Sequence, residues 1–132
     1  MRKVEVLIVD DHSIVIEGLK FVLKRKPEIE VVAEANCGIS AIEKVEECKP
    51  DVVILDLNLP GLHGLEVSQK IKERFPDVHI IAHFGWFSHL TIRYGIENGI
   101  LGFVDKASGF EEISEAIDTI SQGQQYFCKR VR

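Results

Sequence analysis

The sequence predicts an α/β fold in which one parallel sheet lies between two layers of helices. Five short apolar runs alternate along the chain with five stretches whose apolar residues recur at helical spacing. Alternation of this kind produces right-handed crossovers, which place helices on both faces of the sheet. The third run, Val52–Asp56, is apolar up to its final aspartate, as expected for a central strand buried on both faces.

The predicted strands are short, apolar and rich in β-branched residues. They cover Val4–Val9, Ile29–Ala35, Val78–Phe84 and Ile100–Val104, together with a third strand that starts at Val52 and ends at or just before Asp56. After the third strand, Leu57–Gly61 ends the regular structure, and Pro60-Gly61 is a turn signal.

Each predicted helix is followed by a residue that stops a helix. Prolines follow the first three helices and glycines follow the last two, at Pro27, Pro50, Pro76, Gly99 and Gly123. Ser88 is the predicted N-cap of the fourth helix, over Leu90–Asn98. This helix also contains Gly95, which costs about 1 kcal/mol relative to alanine. We therefore expect the fourth helix to be the least stable.

Composition limits the possible classes of protein. The chain has 132 residues, enough for one domain, with 45% apolar and 28% charged residues. Its formal net charge of −5 argues against nucleic-acid binding through overall charge. No stretch has the length of a membrane span, and the start lacks the features of a signal peptide. The three cysteines lack metal-ligand spacing. We expect free thiols, a cytoplasmic protein and no membrane partner.

Charged residues follow three of the predicted strands. Asp10 and Asp11 follow the first, Asp56 ends the third, and Lys106 lies just after the fifth. The carboxyl ends of parallel strands share one edge, where ligands bind in open α/β sheets. By position alone, Asp56 is equally consistent with a ligand site and with a cap for the following turn. The recurrence of charges at three strand ends favours the site.

Three carboxylates at one edge need positive charge nearby, because each close pair repels by roughly 4 kcal/mol at intermediate dielectric. Lys106 supplies one charge, and a divalent cation such as Mg²⁺ would supply the rest. A carboxylate beside Mg²⁺ and a lysine can act as a nucleophile and form an aspartyl phosphate.

Three motifs resemble those of a known family. They are VLIVDDH at Val6–His12, VVILDLNLPGLHGLE at Val52–Glu66 and GFVDKAS at Gly102–Ser108. Through them the chain resembles the receiver domains of two-component response regulators, from Val4 to about Tyr126. VDDH and the tail QGQQYF are most similar to receivers that precede a helix-turn-helix output domain of the LuxR/NarL type.

The resemblance implies a flavodoxin-like, CheY-like three-layer sandwich with a five-stranded parallel sheet of order 2-1-3-4-5. It implies that Asp56 accepts a phosphoryl group from a sensor histidine kinase. It also implies that Asp10 or Asp11, together with Asp56 and the backbone carbonyl of Asn58, holds Mg²⁺. The protein would then be a signalling phosphoacceptor and not an enzyme.

The resemblance further implies that Lys106 pairs with the phosphoryl group and that Phe103 is the aromatic switch residue. One departure is Phe84, which stands where receivers carry Thr or Ser and cannot donate a hydrogen bond. We therefore expect altered coupling to the face formed by the fourth helix, fifth strand and last helix. Gly85 fits the small residue expected next. We hypothesise that Trp86, at the rim of the pocket, shields the acyl phosphate from water.

The predicted receiver covers residues 1–123, and residues 124–132 form a basic linker or tail toward a possible DNA-binding domain. The implied partners are the kinase and, through an output domain outside this chain, DNA. The resemblance also allows a homodimer. The regulated output would be transcription.

Two other functions stay open. Phe84 is consistent with a pseudo-receiver that binds partners independently of phosphorylation. A Mg²⁺-dependent phosphohydrolase with an aspartate nucleophile would need an acid/base where the chain has Asn58. The five histidines suggest no metal site, since His79 and His83 share a strand face without a third ligand; only His83, near the pocket, calls for a test.

Overall fold

The computed structural model describes residues 2–60 and 62–132, so Gly61 of the predicted Pro60-Gly61 turn lies outside the described residues. The strands are β1 Val4–Val9, β2 Ile29–Ala35, β3 Val52–Asp56, β4 His79–Phe84, β5 Gly102–Asp105 and β6 Tyr126–Phe127. The α-helices are α1 Ser13–Leu23, α2 Gly38–Cys48, α3 Gly64–Arg74, α4 His89–Glu97 and α5 Glu111–Ser121. A short 3₁₀ turn, Lys106–Ser108, follows β5.

The strands form one parallel sheet in the order β2-β1-β3-β4-β5-β6. The predicted flavodoxin-like fold and the order 2-1-3-4-5 are confirmed, and β3 lies in the middle, with all five of its residues buried. The helices cover both faces of the sheet. Helices α2, α3 and α4 pack on one apolar cluster, and α1 and α5 pack on the other.

The sheet has a sixth strand, so the predicted count of five strands was one too few. In β6, Tyr126 pairs with Gly102 and Phe127 pairs with Phe103. Gly123 at φ +80° lets the chain turn back after α5, and the Tyr126 hydroxyl donates to Glu112 Oε2 at 2.6 Å. A strand of two residues has too few positions for an alternating pattern, which is why the sequence did not reveal it. Whether residues 124–132 lead to another domain stays a prediction.

Local chemistry explains where several helices begin and end. The Ser88 side chain accepts a hydrogen bond from Thr91 N at the start of α4, as predicted for an N-cap. Gly95 lies in the interior of α4 because a Cβ there would come within 2.7 Å of the Phe103 ring. Glycine at this position weakens α4, but it also allows α4 to pack closely against β5. Within the described residues, no helix is long and apolar enough to cross a membrane.

Candidate functional site at the carboxyl edge of the sheet

The structure brings together three of the charged residues that follow the strands. Asp10 lies just after β1, Asp56 ends β3, and each is 1% exposed. Lys106 Nζ lies 2.8 Å from Asp10 Oδ2 and 3.3 Å from Asp56 Oδ2. Because β1 and β3 are neighbours, the two carboxylates face one ammonium that reaches them from beyond β4. The predicted convergence is therefore present, with a single lysine shared by two buried acids.

Backbone N–H groups hold the other oxygen of each buried acid. Asp10 Oδ1 accepts from His12 N at 2.9 Å, and Asp56 Oδ1 accepts from Asn58 N at 2.9 Å. Both bonds link a residue to the one two positions later, so the loops after β1 and β3 orient the carboxylates directly. This leaves Oδ2 of each acid directed at Lys106.

The two buried acids differ in their ionisation. Burial acts to raise the pKa of Asp10, but the Lys106 ammonium and the N–H of His12 outweigh it, and the pKa is lowered. For Asp56, burial outweighs the Asn58 N–H and Lys106, and the pKa is raised. Lys106 thus compensates Asp10 better than Asp56. The less compensated carboxylate is the one at the centre of the sheet.

The loop after β1 brings two more side chains to this edge. Asp11 is about one-third exposed, and His12 Nδ1 lies 3.0 Å from Asp10 Oδ1 and 3.1 Å from Asp11 Oδ1. Ligand atoms of Asp10, Asp11, His12 and Asp56 all lie within 4.8 Å of one another. His12 was set aside with the other histidines in the sequence analysis, although it follows the two aspartates directly.

This donor set fits a divalent cation. The edge holds three carboxylates, of which Asp10 and Asp56 contact the one ammonium, so the cluster has excess negative charge that a cation would offset. Mg²⁺ prefers carboxylate and carbonyl oxygens, which suits Asp10, Asp11 and Asp56 better than the imidazole of His12. Asn58 is exposed, and its carbonyl stays a predicted ligand.

The predicted switch residues are both fully buried. Phe84 and Phe103 belong to the apolar cluster beneath α2, α3 and α4. Phe84 packs edge-on against Phe87, with ring centroids 5.2 Å apart, and Phe103 stacks on Phe127 of β6 at 5.6 Å. Phe84 therefore places an aromatic ring at the position where the resemblance implies a hydroxyl. Its effect on coupling stays a prediction.

The two predicted rim residues are exposed. An added Cβ at Gly85 would meet no heavy atom within 4 Å, which leaves the space beside it open. The Trp86 side chain is 74% exposed. The shielding of an acyl phosphate by Trp86 stays a prediction.

His83 is the histidine of the interior. It is 1% exposed on β4, lies edge-on to the Phe110 ring at 5.8 Å, and neither ring nitrogen has a hydrogen-bond partner among the residues that the structure describes. Burial, and then the charge of Lys106, lower its pKa from 6.5 to about 4, while Asp10 and Asp105 oppose this shift. His83 is therefore neutral at pH 7, and no third ligand from the described residues joins it in a metal cluster.

This buried histidine should make the protein sensitive to acid. In the unfolded chain this histidine binds a proton as the pH falls below 6.5, whereas in the folded protein it does so only near pH 4. Protonation between these pH values therefore favours the unfolded state. We expect this group to lower the free energy of unfolding by about 2 kcal/mol between pH 7 and pH 5. Urea unfolding at the two pH values should show this loss in the wild type and a smaller loss in His83→Val. The exposed control His89→Gln should behave like the wild type, and equal losses in all three proteins would contradict the assignment.

Two further contacts at the end of β5 were not predicted. Asp105, next to Lys106, is 0% exposed, and its Oδ2 lies 3.2 Å from Arg130 Nη1. Phe127 lies on Phe103, as described above. The aromatic pair Tyr126-Phe127 within a basic tail was the only signal in the sequence that pointed to these contacts.

Comparisons with known proteins show which family the chain is similar to. A family model described as the response regulator receiver domain matches residues 6–118. The chain is 32% identical over 130 residues to the transcriptional regulatory protein DegU of Brevibacillus brevis, covering 98% of this chain and 55% of that protein. It is 37% identical over 123 residues to the oxygen regulatory protein NreC of Staphylococcus epidermidis, covering 92% and 56%. The chain spans little more than half the length of these relatives.

Solved structures show the same similarity. The two-component response regulator of the LuxR family from Aurantimonas sp. SI85-9A1 superposes with a TM-score of 0.93 and 31% identity, over 98% of this chain and 92% of that one. The isolated REC domain of RcsB from Salmonella enterica, determined with the phosphomimetic BeF₃⁻, gives a TM-score of 0.91 and 25% identity, over 98% and 96%.

Proposed function

Since the chain belongs to the response regulator receiver domain family, we propose that Asp56 accepts a phosphoryl group from a sensor histidine kinase. The observation that carries this proposal is the position of Asp56. It is buried at the end of the central strand, 3.3 Å from Lys106, with a raised pKa. A more basic carboxylate is a better nucleophile, and Lys106 is close enough to neutralise charge that develops on a transferred group.

The proposed step balances as a simple transfer. A carboxylate oxygen of Asp56 attacks phosphorus, an acyl O–P bond forms, and the N–P bond to the kinase histidine breaks, so that imidazole leaves. The N–H of Asn58 keeps the carboxylate oriented, and Lys106 pairs with the oxygens of the arriving group. Asp10 and Asp11, with Asp56 and the carbonyl of Asn58, would hold Mg²⁺. When bound, Mg²⁺ would supply charge compensation for the phosphoryl oxygens.

A pseudo-receiver is the second candidate function, and Phe84 favours it. The phenyl ring is buried and packed on Phe87, so it offers no hydroxyl to a phosphoryl oxygen. Such a protein would bind partners without being phosphorylated. The phosphohydrolase alternative has no acid/base at position 58, where an exposed asparagine stands.

The proposed output is transcription. Two relatives are named as regulatory proteins, one of them transcriptional, and the chain spans 55% and 56% of their lengths. We propose that DNA binding belongs to an output domain outside this chain, in a cytoplasmic protein that can form a homodimer. The acidic net charge of −5 is consistent with a receiver that does not bind DNA itself.

One experiment tests the phosphoacceptor proposal. The protein is incubated with Mg²⁺ and acetyl phosphate, and intact mass is measured for the wild type, Asp56→Asn and the exposed control Asp118→Asn. We expect one phosphoryl adduct on the wild type and the control, and none on Asp56→Asn, because an amide cannot act as this nucleophile. No adduct on the wild type would favour the pseudo-receiver. Rapid release of phosphate over many turnovers would favour the phosphohydrolase.

A further inference from the structure

A buried carboxylate lies beside the lysine of the site. Asp105 is the last residue of β5, is 0% exposed, and immediately precedes Lys106. Its Oδ2 lies 3.2 Å from Nη1 of Arg130, whose side chain is 52% exposed. A buried carboxylate without a positive partner is costly, so this ion pair matters for the local structure even though the arginine reaches solvent.

The chain around Arg130 is attached to β5 at several points. Cys128 N donates to Phe103 O at 2.9 Å, and the Phe127 ring stacks on Phe103 with an interplanar angle of 5°. The Arg130 guanidinium also lies 5.8 Å from the centre of the Phe87 ring. The segment from Tyr126 to Arg130 thus follows β5 along its length and contacts its carboxyl end.

The position of the carboxyl end of β5 determines the position of the Lys106 backbone. Lys106 starts the 3₁₀ turn directly after β5, and its Nζ must lie between Asp10 and Asp56 on the far side of β4. If Asp105 turned outward to reach water, the backbone that carries Lys106 would move with it. Displacements of about 1 Å in a site can lower the rate of a reaction by up to roughly a hundredfold.

We propose that Arg130 is a positioning residue for the phosphoryl-transfer site. By pairing with Asp105 it holds the end of β5, and through it the Lys106 ammonium between Asp10 and Asp56. The role in phosphoryl transfer rests on the proposed function, whereas the positioning of Lys106 is measurable without it. Among the described residues, the ion-pair partner of Arg130 is Asp105, which does not belong to the cation cluster, so loss of Arg130 should move Lys106 and leave the cation ligands in place.

The test compares Arg130→Gln, Arg130→Lys and the exposed neighbour control Lys129→Gln in the full chain. The first readout is the ¹H–¹⁵N NMR signal of the Lys106 ammonium, assigned with Lys106→Gln. The second is the rate of adduct formation with acetyl phosphate, and the third is Mg²⁺ affinity by calorimetry. For Arg130→Gln we expect a shifted or exchange-broadened ammonium signal and a rate at least about tenfold lower. Mg²⁺ affinity should not fall, because the carboxylates that would bind the cation keep their places when the Lys106 ammonium moves away from them. Arg130→Lys should recover most of both losses, and Lys129→Gln should resemble the wild type.

A second variant, Asp105→Asn, removes the buried negative charge, so the protein should fold even when Arg130 is replaced. Asp105→Asn should shift the Lys106 signal in the same direction, and adding Arg130→Gln should cause little further change, because the two residues act as one pair. Additive effects, or an unchanged ammonium signal in folded Arg130→Gln, would overturn the inference. If the wild type forms no adduct, the proposed function fails, while the ammonium signal still decides the positioning role.

Discussion

Replacing Lys106 with methionine should destabilise the protein by about 3 kcal/mol in the absence of divalent cations. Its ammonium is the positive group that ion-pairs with Asp10 and Asp56, both almost fully buried. Without it, two close carboxylates repel each other in an environment of low polarity. The measurement is urea unfolding in the presence of a chelator. Adding Mg²⁺ should reduce the difference, because a bound cation would compensate the same charges.

Lys20→Met is the matched control for this prediction. Lys20 also contacts two acids, Glu17 at 3.7 Å and Glu34 at 3.1 Å, but all three side chains are at least 42% exposed. Exposed ion pairs contribute less than about 1 kcal/mol, so this change should have a small effect. Equal destabilisation by the two substitutions would mean that the buried cluster does not depend on Lys106.

Replacing Gly64 with alanine should reduce the free energy of unfolding by about 3 kcal/mol and disturb the chain around Asp56 and Leu57. A Cβ at this first residue of α3 would lie 2.5 Å from Leu57 Cα and 2.8 Å from the carbonyl oxygen of Asp56. Both atoms belong to the backbone, so relief requires moving the end of β3 and therefore Asp56. The clash should outweigh the roughly 1 kcal/mol by which alanine is normally favoured over glycine in a helix.

The measurements are urea unfolding and the yield of the Asp56 adduct, both of which should fall in Gly64→Ala. Gly85→Ala is the control for stability, because no heavy atom lies within 4 Å of its added Cβ and its φ is outside the left-handed region. We expect that control to remain within about 0.5 kcal/mol of the wild type. A Gly64→Ala protein as stable as Gly85→Ala would contradict the packing between α3 and β3.

The charged edge of the sheet was predictable because it depends on local patterns. Asp10, Asp56 and Lys106 each follow an apolar strand, and parallel strands bring such positions to one edge in any order. The sequence could not show that the negative charge of Asp10 is better compensated than that of Asp56. That inequality arises from the hydrogen bonds and the ion-pair distances around each carboxylate.

The apolar runs and their terminal acids were therefore enough to predict a parallel α/β fold and the acids at its carboxyl edge, because burial and strand direction leave a periodic signal. The pairing of Asp105 with Arg130, 25 positions apart, and the attachment of β6 to β5 were decided by tertiary structure alone. A contact between single residues far apart in the chain has no periodicity, and its energy appears only when folding removes the carboxylate from water.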